Sequence, residues 1–269
     1  MLNKDTQLCI SLSARPSNIG TRFHNYLYQK LDIDFIYKAF STTDIEAAIK
    51  GVRALGIRGC SVSMPFKESC IPFIDKLTDS AKAIDSVNTI VNDNGFLTAY
   101  NTDFLAIRQL IAEHLTDPQQ TVVVQGAGGM AKAVVAAFAD AGFKQLTVVA
   151  RNQQSGQALA DKYHYLYQAP EHCPTADIIV NVTPMGMSGG ADSDTLAFDE
   201  SVIRAAKTVF DVVAFPAQTP LVIKAQELGK AVISGDRVIA LQALEQFALY
   251  TGVRPNEALM QEASLFSRQ

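Results

Sequence analysis

Thr121-Val-Val-Val-Gln125-Gly126-Ala127-Gly128-Gly129-Met130-Ala131-Lys132-Ala-Val-Val-Ala-Ala-Phe138 is the stretch that decides the fold. Its first five residues are mostly β-branched and apolar. Gly126, Gly128 and Ala131 follow at once in the spacing G-x-G-x-x-A, and then a run rich in Ala and Val that favours a helix. That order reads as strand, tight turn, helix. In such a unit Gly126 permits the turn, Gly128 lets a pyrophosphate approach the backbone, and Ala131 lets helix and strand pack closely. The helix N-terminus then presents free N–H groups to phosphate. The same small residues also serve turns without any ligand; the flanking strand and helix favour the dinucleotide reading. A second strand is expected over Gln145 to Ala150, ending at Arg151. A site for NAD would carry an acid there to bond the ribose hydroxyl. An arginine attracts a 2′-phosphate instead, so the cofactor expected is NADP. The alternative is that Arg151 is a solvated cation at a helix start.

The bulk numbers bound the rest. With 269 residues, 48% of them hydrophobic, the chain suits one or two domains with full cores, and two are expected. A net charge of −4, no basic run and no tryptophan give nothing that favours nucleic acid. Cys9, Cys60, Cys70 and Cys173 form no C-x-x-C pair, and neither they nor His24, His114, His164 and His172 show metal-ligand spacing. No metal is expected. Met1-Leu2-Asn3-Lys4-Asp5 lacks the basic-then-apolar pattern of an export signal, and no run approaches the ~18 apolar residues of a membrane span. The expectation is a cytoplasmic protein with no membrane partner, monomeric or homodimeric.

Towards the N-terminus, strands are expected at Gln7 to Ser13, Phe35 to Phe40 and Ile57 to Ser63. Helices capped by Thr21 and Thr43 lie between them, with Glu46 in a capping box. This alternation means βαβ units and a mostly parallel sheet. Pro65 ends the third strand and puts Lys67 near the start of a helix, where a cation opposes the macrodipole; either function or plain solvation accounts for it. Asp93-Asn94-Gly95 joins strands Val87 to Val91 and Phe96 to Tyr100 in the chain's strongest hairpin signal. Asn88 could be an ordinary strand-edge amide, and Asp103 could simply cap the helix Phe104 to His114. Beyond Arg151 a helix runs to Tyr163, then a strand over Ile178 to Asn181 leads into the glycine-rich loop Val182 to Gly190. Strands at Thr208 to Val213 and Ala231 to Ser234 flank a helix over Leu221 to Leu228. A long helix from Arg237 to Tyr250 and a last one opened by Pro255 close the chain.

Taken in order, several of these stretches resemble the shikimate dehydrogenases across most of the chain. Ser63-x-Pro65-Phe66-Lys67 is similar to that family's V-T-x-P-x-K segment, Val87-Asn88-Thr89 to V-N-T, and Asn101-Thr102-Asp103 to N-T-D. Gly126-Ala-Gly-Gly-Met-Ala131 resembles G-A-G-G-A-A, Arg151-Asn152 resembles N-R-T, Asn181-Val-Thr-Pro-Met-Gly-Met187 resembles N-A-T-P-x-G-M, and Thr219-Pro220-Leu221 its T-P-L. Gln242 falls seven residues after Gly235, as in the family.

The resemblance implies that Lys67 and Asp103 meet between the domains as a catalytic pair. It further implies that Asn88 and Gln242 hold substrate hydroxyls, and that Ser63, Asn18 and Thr21 also face the substrate. NADP contacts are implied at Gly126, Ala127, Gly128, Gly129, Met130, Ala131, Arg151, Asn152, Thr183, Met185, Val213 and Gly235. The chemistry wants such residues: oxidising a secondary alcohol moves a hydride from carbon to nicotinamide while a base takes the hydroxyl proton, and a lysine can do that.

Departures from the family pattern stand beside the matches. The family's loop H-S-x-S-P, whose hydroxyls bind the substrate carboxylate, has Asn18, Gly20 and Thr21 here, with Ser17 or Thr21 able to substitute after a one-residue shift. Its D-x-x-Y-x-P becomes Asp211-Val-Val-Ala214-Phe215-Pro216, Phe104 replaces the glycine after N-T-D, and Ser155 replaces a second basic residue. Losing a charge-assisted hydrogen bond to a carboxylate costs about 1.5 to 3 kcal/mol, so weak activity on shikimate itself is expected. The reading is a two-domain α/β protein: a substrate domain over 1–101 completed by helices in 237–269, and a Rossmann-type NADP domain over 102–236. The expected reaction is reversible oxidation of a ring hydroxyl in shikimate or a related cyclic hydroxy acid such as quinate. A nucleotide-binding protein that has lost catalysis and a folate-linked methylene dehydrogenase are the alternatives.

Overall fold

The computed structural model describes residues 2–269. These divide into two units, one of residues up to Thr102 together with Ala240–Gln269, the other of Asp103–Ile239. The first opens with β1 (Gln7–Ser13), α1 (Ile19–Lys30), β2 (Phe35–Ser41), α2 (Ile45–Ala54) and β3 (Gly59–Val62). It continues with β4 (Lys76–Leu77), α3 (Asp79–Lys82), β5 (Thr89–Asp93) and β6 (Phe96–Tyr100). The sheet order is β2-β1-β3-β5-β6-β4. β1 lies parallel to β2 and β3, and β4 to β6, while β5 alone runs antiparallel to its neighbours β3 and β6, so the sheet is mostly parallel, as expected, with one reversed strand. The hairpin causes the reversal: Asn94 and Gly95 have φ of 53° and 91°, the two positive values that a two-residue type I′ turn needs. Ile10 and Leu12 of β1 face Ile49 and Val52 of α2 in a core that also holds Val62, Ile90 and Leu97.

The second unit comprises α4 (Thr102–His114), β7 (Val122–Gln125), α5 (Gly129–Asp140), β8 (Leu146–Val149), α6 (Gln153–Lys162), β9 (Leu166–Gln168), β10 (Ile178–Asn181), α7 (Glu200–Ala205), β11 (Thr208–Asp211), α8 (Pro220–Glu227) and β12 (Ala231–Ser234). All six strands are parallel, in the order β12-β11-β10-β7-β8-β9. Counted within the unit this is 3-2-1-4-5-6, the Rossmann arrangement, whose strand order reverses between β7 and β10. α9 (Gly235–Thr251) leaves this unit and enters the first, where α10 (Glu257–Ser267) packs on α1.

Local details differ from expectation where tertiary bonds compete. Lys67 begins no helix: residues 64–70 are turns, and the Lys67 carbonyl accepts from the Val87 N–H at 2.8 Å, a partner twenty residues away that an i→i+4 bond would have displaced. The macrodipole argument therefore does not apply to it. Thr43 does not cap α2; Asp44 does, accepting from the Ala47 N–H at 2.9 Å, and Glu46 pairs with Lys50 at 2.7 Å instead. Thr21 and Asp103 lie within the first turns of α1 and α4 rather than capping them. β4, α3, β9 and α7 are short elements without a periodic signature.

Candidate active site

The second unit holds a cavity of about 400 Å³ at the carboxyl ends of β7, β8 and β10, the place where open α/β sheets take ligands. Gly126, at φ 126°, is required there: a Cβ would stand 2.8 Å from Val182 Cγ2. Gly128 precedes α5, and a Cβ on it would meet nothing within 4 Å, so a ligand can approach the backbone. Gly126, Ala127, Gly128, Arg151, Asn152, Thr183 and Met185 line the cavity. Gly129, Met130 and Ala131 sit in the first turn of α5, with Ala131 fully buried. Asn152 caps α6, its Oδ1 accepting from the Ser155 N–H at 2.9 Å, so its oxygen is already engaged. Val213 and Gly235 are not part of that lining but touch one another. A Cβ on Gly235 would fall 2.2 Å from the Val213 carbonyl oxygen. Gln125, Ser155 and Pro170 also line the cavity; of these the motif reading named only Ser155, and only as a departure.

A buried network supports the cavity wall. The Asp211 carboxylate, fully buried, accepts from Asn181 Nδ2 at 3.0 Å, from the Val213 N–H at 3.1 Å and from the Thr219 hydroxyl. Burial raises its pKa and the three donors pull it back down. Asn181 Oδ1 in turn accepts from the Thr183 N–H at 3.0 Å and hydroxyl at 2.6 Å, while its Nδ2 reaches the Met185 carbonyl at 3.2 Å. One carboxylate thus ties the ends of β10 and β11 to the loop that carries Thr183 and Met185. Asp211 and Asn181 stood inside quoted motifs, but nothing in their spacing assigned them this task.

In the first unit Asn88 and Gln242 converge on Thr102. Asn88 Oδ1 accepts from the Thr102 N–H and the Thr89 hydroxyl, each at 2.8 Å, and Thr102 Oγ1 lies 3.4 Å from Gln242 Oε1. Both side-chain oxygens are thus engaged as acceptors. Gln246, one helical turn beyond Gln242 and missed by motif, donates to Thr89 Oγ1 at 3.1 Å and to the Asn88 carbonyl at 3.4 Å. Lys67 is half-buried, Asp103 is buried, and Ser63 and Asn18 are exposed. Asn18 stands at the N-cap of α1 without a side-chain bond to the helix. Among the described residues no cluster of His, Cys, Asp and Glu suits a metal, and no helix is long and apolar enough to cross a membrane.

Residues 17–90 match the family model described as the shikimate dehydrogenase substrate binding domain, and residues 109–185 that of shikimate/quinate 5-dehydrogenase. A shikimate dehydrogenase-like protein of Haemophilus influenzae is 60% identical over 268 residues, covering 100% of this chain and 99% of that one. The chain belongs to the shikimate dehydrogenase family. Within the family, the NADP(+) shikimate dehydrogenase of Pyrococcus abyssi is 34% identical over 245 residues, 90% of each chain. A solved structure of a shikimate 5-dehydrogenase-like protein superposes with a TM-score of 0.98 at 59% identity and full coverage of both chains. A shikimate dehydrogenase solved with NADP+ gives 0.89 at 26% identity, covering 98% of this chain and 96% of that one. The expected α/β architecture, with a Rossmann-type part and a family substrate domain, is borne out, and the chain is an oxidoreductase of this family.

Proposed function

We propose that this chain is an NADP-dependent oxidoreductase that reversibly oxidises a ring hydroxyl of shikimate, to 3-dehydroshikimate, or of a related polyhydroxylated cyclic acid such as quinate. The observation that carries the cofactor choice is Arg151, which lines the cavity at the end of β8 where an NAD site would hold an acid. Gly126, Ala127 and Gly128 would take the pyrophosphate, with Gly129, Met130 and Ala131 starting the helix behind it. Arg151 and Asn152 would meet the 2′-phosphate, and Thr183, Met185, Val213 and Gly235 would border the nicotinamide end. NADP, when bound, supplies the hydride acceptor.

The remaining chemistry falls to side chains. Lys67 would hold the proton of the reacting hydroxyl and Asp103 would be its carboxylate partner. The amide nitrogens of Asn88 and Gln242 would donate to ring oxygens, and Ser63, Asn18 and Thr21 would face the rest of the substrate. Gly20 and Ala214, where the family pattern has a serine and a tyrosine, support slow turnover of shikimate itself. Such an enzyme would act on small molecules in the cytoplasm, as a monomer or homodimer.

Turnover of shikimate and of quinate, each with NADP and with NAD, tests this reading. The expected result is slow oxidation that favours NADP. Activity with NAD alone defeats the Arg151 argument. A Lys67→Ala variant that keeps both ligand binding and every activity of the parent points to a nucleotide-binding protein without this chemistry.

A further inference from the structure

The cavity of the second unit sets one carboxamide, that of Gln125, against an apolar surround. Val149, Ala150, Pro170, Val182 and Pro184 form that surround. The oxygens of the other neutral polar side chains in the lining are engaged. Asn152 Oδ1 accepts from the Ser155 N–H at 2.9 Å, and the Ser155 hydroxyl donates to the Asn152 carbonyl at 3.2 Å. The Thr183 hydroxyl donates to Asn181 Oδ1 at 2.6 Å and accepts from the Met185 N–H at 3.3 Å. Gln125 differs from these. It closes β7 directly before Gly126, and it is half-buried. Among the described residues its carboxamide meets one partner, Met185 Sδ, to which Nε2 donates at 3.7 Å. A thioether is a weak acceptor, and this contact uses one of the two N–H groups and none of the oxygen's capacity.

The surroundings say what such an amide can recognise. Phosphate calls for cations or free backbone N–H groups, which Arg151 and the glycine turn offer and a neutral amide does not. Apolar walls with a few placed polar groups, around a space of about 400 Å³, suit a ring system with a polar edge. A carboxamide presents a donor and an acceptor side by side. Adenine carries the complementary pair on one edge, its 6-amino donor next to the N7 acceptor, and glutamine can engage both at once. Hypoxanthine has an oxo group in place of the amino group, so that edge shows two acceptors, as in guanine. Whichever way the amide is turned, Oε1 then faces one of them.

We propose that Gln125 reads the base of the bound dinucleotide. Oε1 accepts from the 6-amino group of adenine, and the N–H of Nε2 that is not given to Met185 donates to N7. This rests on the reading that the cavity takes NADP. It makes Gln125 a specificity-determining residue for the base, as Arg151 is for the 2′-phosphate.

The test reads binding rather than turnover. Calorimetric titration of the full chain compares NADP with its deamino analogue, in which hypoxanthine replaces adenine and nothing else changes. The parent is expected to bind NADP about ten- to a hundredfold more tightly than the analogue, the discrimination of one good bidentate pair. Gln125→Met keeps the length of the side chain and removes both polar groups. Its Kd for NADP should rise towards that of the analogue, its Kd for the analogue should change much less, and the preference should collapse. Gln125→Leu repeats the measurement should the first variant not fold, and the preference of the parent needs neither. A parent that binds the two nucleotides equally, or a preference that survives in the variants, overturns this proposal alone. A parent that binds neither nucleotide overturns the dinucleotide reading and this proposal with it.

Discussion

Arg151 and His24 show how a single side chain can bias chemistry in one case and stability in the other. Arg151 is exposed on the cavity rim, so its contribution is selective attraction rather than packing. Arg151→Ser should raise KM for NADP about tenfold or more, the usual cost of a lost charge-assisted bond, and leave KM for NAD nearly unchanged. Steady-state kinetics with both nucleotides checks this. His24 is the opposite case, fully buried among Phe23, Tyr28, Tyr37, Phe247 and Tyr250. Burial pushes its pKa down to about 3. The folded protein therefore keeps this ring neutral while the unfolded chain protonates it below about pH 6.5. Between those values the unfolded state binds more protons, so stability falls as pH falls. From pH 7 to pH 4.5 this one residue should remove about 2 to 3 kcal/mol. Urea unfolding at the two pH values should show the parent losing that much more than a His24→Phe variant.

At the scale of elements, joins between strands and loops carry the site. β10, β11 and α8 come together on the Asp211 carboxylate, because Thr219 both donates to it and caps α8, accepting from the Val222 N–H at 3.1 Å. Removing the carboxylate strands three buried donors at once. Asp211→Ala should cost about 3 to 5 kcal/mol in urea unfolding, the range for breaking a buried charged network. Asp211→Asn should cost less, since the amide oxygen still accepts from Asn181 and Val213. The same Asp211→Ala change should raise KM for NADP, because Thr183 and Met185 lose their anchor. Turn chemistry was legible at this scale: Asn94-Gly95 made the hairpin. Lys67 was not, because its carbonyl bonds to Val87, a partner that no local pattern names.

For the molecule as a whole, the Rossmann strand order and the family's two matched domains define what ligands should do to stability. NADP binding only the folded state should add about 2.7 kcal/mol at a hundred times its Kd. A heat-shift series should therefore show Tm rising with NADP at lower concentrations than with NAD. Equal shifts at equal concentrations would remove the cofactor preference.

Residues alone were enough for the strand–turn–helix at Gly126, the α/β alternation, the arginine after β8 and the family. Each depends on neighbours within a few positions or on motifs kept in order. Tertiary structure decided the rest: the reversal of strand order between β7 and β10, the grip of Asp211 on two loops, and Gln246 behind Asn88. The physical reason is that alternation along a strand says which side chains share a face, whereas which strand lies beside it is settled only by packing of the whole sheet.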